Sequence, residues 1–259
     1  MGENEKLIIP EDVATEEWLR LLRLLLAQGN QVNPRDQASL ELLNYSITIP
    51  MTAPIVLSQH RALGYRFMAA EAAWILSGDN RVDTITPYAK HIKEFSDDGV
   101  RFFGAYGPPV RDQLGHVIKT LSRDLFSRQA VLTLWRPNPP ISRDIPCTIA
   151  LQWMIRGGQL HCFATMRSSD AWLGVPYDWF NFSMISLAVL LELDLSEVKL
   201  GDLYFTAASE HLYLRNKNRA ETCVAYPYSM TTPQLDPWSH ATNVDALTEY
   251  LWGYANGQT

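Results

Sequence analysis

The stretch CTIALQWMIRGGQLHCFATM, residues 147–166, predicts a β-hairpin at the centre of the fold. Its two halves are mostly apolar, as buried strands are, and the Arg156-Gly157-Gly158 step between them is typical of a tight turn. The second strand leads directly into Arg167. Because a hairpin brings its two ends together, we expect Arg167 to lie beside Cys147.

Outward from the hairpin, helical and strand patterns alternate along the chain. The predicted helices are residues 15–28, 62–77, 114–126, 179–194 and 244–255, and the predicted strands are residues 43–50, 129–135, 147–155, 159–166 and 201–206. Residues 88–107 are expected to mix a short helix with a loop, and residues 227–237 to form a loop. We see no repeat or linker. This order predicts one α+β domain over residues 1–259, with a large mixed or antiparallel sheet packed with helices.

Composition excludes several classes of protein. The 259 residues carry a formal net charge of -6, whereas proteins that coat nucleic acid are more often basic. Three cysteines indicate no disulfide framework, and neither cysteines nor histidines show the spacing of a metal site. No apolar run approaches the length of a membrane span, and the acidic first residues lack the order of a signal peptide. We therefore expect a cytoplasmic protein that binds neither membrane, nucleic acid nor metal.

Cys147 and the residues after the hairpin are the first candidates for chemistry. An unpaired cysteine is usually a small buried apolar residue, but a neighbouring cation would lower its pKa and make it a nucleophile. Arg167 and Ser168 at the end of a strand can bind phosphate, although an arginine there can equally form a surface salt bridge. Both interpretations stay open on these residues alone.

Four further side chains have two interpretations each. Asp178 lies near a predicted helix start, where it serves either as an N-terminal cap or in a site. His211 and Tyr213 are two residues apart, so on a strand they share a face and suit a sugar hydroxyl, unless both are core residues. Glu71 sits among apolar helix residues and is therefore either paired or functional.

In their order along the chain, these motifs resemble the thymidylate synthase family, including its pyrimidine nucleotide hydroxymethylase branch. The resemblance covers about residues 28–216, and its most specific segment is RSSDAWLGVPYD, residues 167–178. It implies a thymidylate synthase-like fold, a homodimer formed through the sheet, 5,10-methylenetetrahydrofolate as co-substrate, no metal, and a nucleotide as the other substrate.

The resemblance also implies roles for individual residues. Cys147 matches the nucleophile that adds to C6 of the pyrimidine. Glu71 matches the glutamate that organises water and protons, Tyr106 the tyrosine of the proton-transfer network, and Asp170 the aspartate that contacts the folate pterin. The remaining matches bind the nucleotide: Arg35, Arg167 and Ser168 its phosphate, Arg128 the phosphate in the partner subunit's site, and His211 and Tyr213 the ribose 3′-hydroxyl.

Departures from the synthases point to the base and the product. Synthases usually have asparagine at the position of Asp178 and a second arginine at that of Gln129. A carboxylate accepts from the 4-amino group of cytosine and, with a shared proton, meets N3, and aspartate here is typical of cytidylate hydroxymethylases. The segment before FFGAYG lacks the synthases' tryptophans, and YANGQT does not resemble their apolar closing tail. Both departures favour addition of water over hydride.

The sequence thus predicts a folate-dependent transferase that converts CMP or dCMP to its 5-hydroxymethyl form. The alternatives are a reductive cytidylate 5-methylase, a thymidylate synthase, and an inactive relative that binds nucleotides or RNA. The sugar, ribose or deoxyribose, stays open, as does the pathway, viral DNA modification or a nucleoside natural product.

Overall fold

A computed structural model describes residues 13–227 and 233–258. Seven strands form one sheet, with order β1-β2-β7-β5-β4-β3 and the short β6 also beside β7. The strands are β1 (Asn30–Val32), β2 (Ser39–Pro50), β3 (Val131–Thr133), β4 (Thr148–Arg156), β5 (Gln159–Met166), β6 (Ser169–Asp170) and β7 (Lys199–Tyr213). β7 is parallel to β5 and β6 and antiparallel to β2, so the sheet is mixed, as expected.

Eight α-helices accompany the sheet within the described residues. They are α1 (Val13–Gln28), α2 (Tyr65–Leu76), α3 (Val82–Ile85), α4 (Gly107–Arg123), α5 (Val175–Leu193), α6 (Lys217–Ala225), α7 (Pro237–His240) and α8 (Val244–Asn256). The apolar α5 packs on β5 and β7, α2 and α4 pack on α5, and α8 packs on α2. This arrangement confirms the predicted α+β class.

The central hairpin forms as predicted, because β4 and β5 pair antiparallel around Gly157 and Gly158. Both glycines have positive φ, 57° and 75°, which a tight two-residue turn requires and other residues rarely adopt. Trp153 on β4 and Cys162 on β5 point into the core and are fully buried. The hairpin therefore anchors the sheet against the helices.

Several element boundaries differ from the predictions, and three of these differences bear on predicted site residues. α4 begins at Gly107 rather than residue 114, because Pro108 and Pro109 fit the first helical turn, where no intrahelical N–H is needed. α5 begins at Val175, with Pro176 in its first turn, instead of at residue 179. β7 runs to Tyr213 rather than ending at residue 206. Each extension brings predicted site residues onto a regular element. Tyr106 directly precedes α4, Asp178 lies in the first turn of α5, and His211 and Tyr213 lie on β7.

Smaller predictions had mixed outcomes. The part of residues 88–107 expected to be helical is a 3-10 turn at Lys90–Phe95. Residues 228–232 of the predicted loop 227–237 lie outside the described residues, and residues 233–236 are irregular. Within residues 13–227 and 233–258, no helix is both long and apolar enough to cross a membrane.

Among residues 13–227 and 233–258, the helices pack on one face of the sheet, and burial alternates along β5 and β7 accordingly. On the other face Phe163 stacks on Tyr204, with ring centroids 4.7 Å apart, and Ser46 hydrogen-bonds Thr206 across strands β2 and β7. Tyr204 is 36% exposed, and Leu43 of β2, beside the left-handed backbone of Asn44, is 72% exposed. The described part of the chain thus presents an aromatic and polar sheet surface to its surroundings.

Candidate active site

Cys147 lies at the mouth of the hairpin, immediately before β4. A β-bulge leaves Ile149 without a partner on β5, and the Ile149 carbonyl instead accepts from the backbone N–H groups of Leu134 (2.9 Å) and Trp135 (3.1 Å). Bulges re-aim side chains and are common beside active sites. Thr148 points into the core, whereas Cys147 is only partly buried.

Arg167 closes the other side of this mouth, as the sequence predicted. Its Nε donates to the Pro146 carbonyl (2.8 Å), its Nη2 to the Ile145 carbonyl (2.9 Å), and Nη2 lies 3.8 Å from the Cys147 Sγ. These contacts argue against a surface salt bridge. Burial raises the pKa of the Cys147 thiol overall, while the Arg167 charge lowers it, as expected for a neighbouring cation.

Tyr106, at the residue before α4, lies close to the same strand. Thr148 Oγ1 donates to the Tyr106 hydroxyl at 2.8 Å, and the Tyr106 ring stacks on Phe182 of α5. Burial, together with the charges of Asp178 and Cys147, raises the pKa of Tyr106 well above its usual value. Tyr106 is therefore a neutral hydroxyl that can pass or donate a proton near Cys147.

Glu71 on α2 meets Asn181 on α5. Asn181 Nδ2 donates to Glu71 Oε2 at 2.8 Å. Burial raises the pKa of Glu71 to about 7, while the Asn181 hydrogen bond lowers it and the charge of Asp178 raises it. A carboxyl that titrates near neutrality can act as either an acid or a base. Asn181 itself was not predicted from sequence.

Asp178 lies within the first turn of α5, yet it does not cap the helix. The residue at the cap position is Gly174, and no side chain makes a capping hydrogen bond there. A Cβ at Gly174 would come within 3.1 Å of Asp178 Oδ2 and 3.3 Å of the Asp170 carbonyl, so glycine leaves room for the carboxylate. Burial, and secondly the charge of Asp170, raise the pKa of Asp178 to about 7.

Asp170 and His211 are directly paired in register between β6 and β7. Asp170 Oδ1 accepts from the backbone N–H groups of Trp172 (2.8 Å) and Leu173 (3.0 Å), while its Oδ2 is buried without a partner. Burial lowers the pKa of His211, which favours the neutral imidazole. The Tyr213 ring lies 4.9 Å from the His211 ring, as expected for side chains on one face.

The arginines predicted to bind phosphate lie in different settings. Arg35 is exposed and has a left-handed backbone, with φ 52° and ψ 39°, which is strained for a non-glycine residue. Its charge acts on both Cys147 and His211, so it lies near the same site. Ser168 is half-buried directly after Arg167. Arg128 is exposed on the loop before β3, where its carbonyl accepts from Gln152 Nε2 at 2.7 Å.

Glu210 is a second residue that the sequence patterns did not single out. It is fully buried on β7, in register with Ser169 of β6, and neither of its carboxyl oxygens has a hydrogen-bond partner. Burial raises the pKa of Glu210 well above its usual range. The nearby Ser169 hydroxyl lowers this pKa, and the charges of Asp170 and Asp178 raise it further. Glu210 is therefore protonated in the folded chain.

These side chains can act together on a small anionic molecule. A thiol beside a guanidinium offers a nucleophile, two carboxyls with pKa near 7 offer proton transfer, and arginines offer a phosphate site. Among residues 13–227 and 233–258, no group of three or more His, Cys, Asp or Glu side chains is placed to hold a metal ion.

Two comparisons with known proteins agree with this arrangement. The deoxyuridylate hydroxymethyltransferase of Bacillus phage SP01 is 28% identical to the chain over 225 residues, which are 77% of this chain and 57% of that protein. The family model described as thymidylate synthase matches residues 16–250. Since that match covers most of the chain, the protein belongs to the thymidylate synthase family.

Proposed function

We propose that this chain forms one catalytic domain that hydroxymethylates C5 of a cytidine nucleotide, CMP or dCMP. The observation that carries the proposal is the pairing of Cys147 with Arg167 at one side of the site and a titratable carboxyl, Asp178, at the other. The similarity to a hydroxymethyltransferase supports the reaction type. The choice of cytosine as the base depends on Asp178, whose carboxyl complements the amino group and N3 of that base.

The phosphate of the nucleotide binds to the arginines near the open end of the hairpin. Arg167 and Ser168 bind it from the end of β5, Arg35 from the strained loop before β2, and Arg128 from the other subunit of a homodimer. His211 and Tyr213 bind the ribose 3′-hydroxyl from β7. Because His211 is held neutral by burial, it can accept or donate a hydrogen bond there without adding charge.

The folate co-substrate fits the chain at Asp170. Its Oδ1 is fixed by two backbone N–H groups, and its buried Oδ2 has no partner in the protein and suits the N–H donors of a pterin ring. When bound, 5,10-methylenetetrahydrofolate supplies the one-carbon unit. The exposed Leu173 beside Asp170 offers apolar contact at the same place.

Covalent catalysis begins at Cys147. The thiol gives up its proton, and the thiolate adds to C6 of the pyrimidine, which makes C5 electron-rich. Phosphate binding at Arg167 would place the base against the sulfur. C5 then bonds to the one-carbon unit, and loss of the C5 proton and of tetrahydrofolate leaves an exocyclic methylene at C5. Water adds its oxygen to that methylene, the C6–S bond breaks, and the ring double bond returns.

Glu71 and Tyr106 move the protons in this scheme. Glu71, with its pKa near 7, takes a proton from the attacking water. Tyr106, on the Cys147 side, relays the C5 proton toward solvent by giving up its own hydroxyl proton as it accepts the new one. Weaker closure of the folate side, expected from the missing tryptophans, leaves the methylene open to water.

Asp178 recognises the base through a shared proton. Cytosine offers a donor at its amino group and an acceptor at N3, so a carboxyl with one proton satisfies both. Uracil reverses donor and acceptor, and its O4 is a much weaker base than cytosine N3. The proton is therefore retained more firmly with cytosine, and unmatched polar pairs in a buried site cost a few kcal/mol.

Deoxyuridylate hydroxymethylation is the second candidate. It is favoured by the similarity to the phage deoxyuridylate hydroxymethyltransferase, although the chain covers only 57% of that protein. A protonated Asp178 would allow it, since the acid can donate to O4 and accept from N3. The two candidates differ in substrate and share every other step.

We further propose that the uncovered sheet face forms a homodimer. A second copy stacked on the Phe163–Tyr204 surface would bury it, and an isologous contact would exchange Arg128 in both directions. Sedimentation or light scattering should give twice the chain mass.

The test of function is a product analysis. The purified chain is incubated with 5,10-methylenetetrahydrofolate and separately with CMP, dCMP, UMP and dUMP, and products are weighed by mass spectrometry. We expect the hydroxymethyl product from a cytidine nucleotide and no dihydrofolate absorbance. A methyl product with dihydrofolate would identify a reductive enzyme instead, and product from uridine nucleotides alone would favour the second candidate.

A further inference from the structure

Asn181 has one half of its amide fixed and the other half unused. Its Nδ2 donates to Glu71 Oε2 at 2.8 Å, while its Oδ1 is buried and accepts no hydrogen bond from the described residues. The residue as a whole is 3% exposed. Buried amide oxygens are normally paired in a folded protein, so an unpaired one beside a candidate site suggests a ligand contact.

The orientation of this amide follows from Glu71. An ionised carboxylate only accepts hydrogen bonds, so the NH₂ group of Asn181 faces Glu71 whenever Glu71 is ionised. The opposite end of the same amide is therefore an acceptor. Glu71 fixes Asn181 as an acceptor rather than a donor toward the rest of the site.

Asn181 and Asp178 are three residues apart on α5, and residues at this spacing lie on the same face of a helix. The Asp178 charge acts on Glu71, which bonds Asn181, so the three side chains form one cluster. Asp178 is also the side chain assigned above to the base. An acceptor one helical turn farther along is suited to the exocyclic group at C4.

Asp178 favours cytosine through the basicity of N3, but by itself it does not exclude uracil. A carboxyl with one proton can turn its hydroxyl toward cytosine N3 or toward uracil O4, and each choice satisfies both of its oxygens. Firm selection of cytosine needs a neighbouring group whose hydrogen-bond character is set by the protein. The amide of Asn181, oriented by ionised Glu71, has this property.

We propose that Asn181 is a specificity-determining residue whose Oδ1 accepts the second hydrogen of the cytosine 4-amino group and repels the O4 of uracil. The proposal rests on the function proposed above and names the side chain that completes base selection. Cytosine would fill the unpaired acceptor, whereas uracil would oppose it with another acceptor, and an unpaired buried polar group is costly.

Equilibrium binding tests this role without requiring turnover. Dissociation constants of CMP and UMP, and of dCMP and dUMP, are measured for the wild type, Asn181→Leu and Ser183→Ala. Leucine has a similar volume and no acceptor, and Ser183 is a buried polar residue of the same helix whose hydroxyl donates to the Trp179 carbonyl. If the leucine variant does not fold, Asn181→Ala takes its place.

We expect loss of Asn181 to weaken cytidine nucleotide binding by about 10- to 100-fold, as for loss of one buried hydrogen bond, and to leave uridine nucleotide binding unchanged or stronger, because the acceptor that opposes O4 is gone. Ser183→Ala should keep the wild-type ratio. Equal weakening of both bases by the Asn181 variants would overturn the proposal, because it indicates a purely structural role. A wild type that binds both bases equally would also overturn it.

The two experiments distinguish the Asn181 proposal from the proposed function. A wild type that prefers cytidine nucleotides through Asn181 but yields no folate-dependent product would refute the proposed function and keep the inference. A wild type that hydroxymethylates cytidine nucleotides with an unchanged ratio in Asn181→Leu would keep the function and refute the inference.

Discussion

The two walls of the candidate site differ in how completely their polar groups are paired. The hairpin wall, residues 145–148 with Arg167, is held by hydrogen bonds to backbone carbonyls and by the Thr148–Tyr106 contact. The carboxyl wall, Glu71, Asp170, Asp178 and Asn181, has buried oxygens without partners and two carboxyls with pKa values near 7. One wall fixes geometry before binding, whereas the other keeps hydrogen-bonding capacity that a ligand can use.

The largest expected effect comes from the hairpin wall. Cys147→Ser should reduce turnover by about 10⁴-fold or more, because a serine hydroxyl beside Arg167 is a far weaker nucleophile than a thiolate. Product formation per hour measures the loss. Cys223→Ser, at a buried cysteine of α6 outside the site, is the control and should keep near wild-type activity. Equal activity in both variants would remove Cys147 from the mechanism.

The next effect comes from the carboxyl wall and changes selection rather than chemistry. Asp178→Asn should shift the ratio of kcat/KM values from cytidine toward uridine nucleotides by about 10²- to 10³-fold, because a fixed amide complements uracil. Competition between the two nucleotides in one tube measures this ratio directly. A variant that keeps the strong cytidine preference would show that base selection lies elsewhere.

A third prediction links the hairpin wall to a second subunit. Arg128→Ala should lower kcat/KM by about 10- to 100-fold through lost phosphate binding. Mixing this variant with Cys147→Ser should restore activity, since a mixed dimer has one site with an intact Cys147 and an Arg128 from its partner. A mixture of wild type and Cys147→Ser serves as the control that subunits exchange. If they exchange but the Arg128→Ala and Cys147→Ser mixture stays inactive, the two subunits do not share a site.

The carboxyl wall should also make nucleotide binding depend on pH. Asp178 has a pKa of about 7, so it is protonated at pH 6 and ionised at pH 8. The pair with cytosine contains one proton, and binding above pH 7 therefore takes up a proton. CMP affinity should fall by up to about tenfold per pH unit between pH 7 and 9. Between pH 6 and 7, where Asp178 already carries its proton, the affinity should stay nearly constant. In Asp178→Asn, UMP affinity should lack this slope, and a steep slope there would implicate another group.

The smallest effect on activity is expected at Glu210, behind the carboxyl wall. Its raised pKa keeps the proton in the folded chain, while the unfolded chain ionises near pH 4.5. The stability that Glu210 contributes is thus full below pH 4.5 and declines as pH rises toward its folded pKa. Glu210→Gln should raise the free energy of unfolding at pH 8 and leave it unchanged at pH 4, because glutamine has no charge to bury at either pH. Urea unfolding of the wild type and the variant at both pH values measures this difference. A variant that is less stable than the wild type at pH 8 would contradict the prediction.

Local patterns predicted the hairpin wall well. The glycine pair, the apolar strands and the position of Arg167 directly after β5 are contiguous in sequence, so the meeting of Cys147 and Arg167 followed from the turn alone. The helix starts were less accessible, since prolines in the first turns of α4 and α5 resemble helix breakers. The length of β7 was missed because Ala207, Ala208 and Glu210 interrupt its alternating pattern.

The carboxyl wall could be predicted only as candidates. Glu71 and Asp178 were singled out, but their shared surroundings depend on the packing of α2 against α5, 110 residues apart for the Glu71–Asn181 pair. Asn181 stands in an apolar helix with no local partner, and Glu210 looks like a surface residue on a strand. Burial and pairing of this kind arise from tertiary contacts, which residue spacing does not encode.

The most direct test of the account follows the oxygen atom of the product. The chain is incubated with cytidylate and 5,10-methylenetetrahydrofolate in water enriched in a heavy oxygen isotope, and the nucleotide product is weighed. The account predicts a 5-hydroxymethyl cytidine nucleotide whose new hydroxyl carries the heavy oxygen, with no dihydrofolate. A 5-methyl product without the label and with equal dihydrofolate, or a labelled product from uridylate alone, would contradict it.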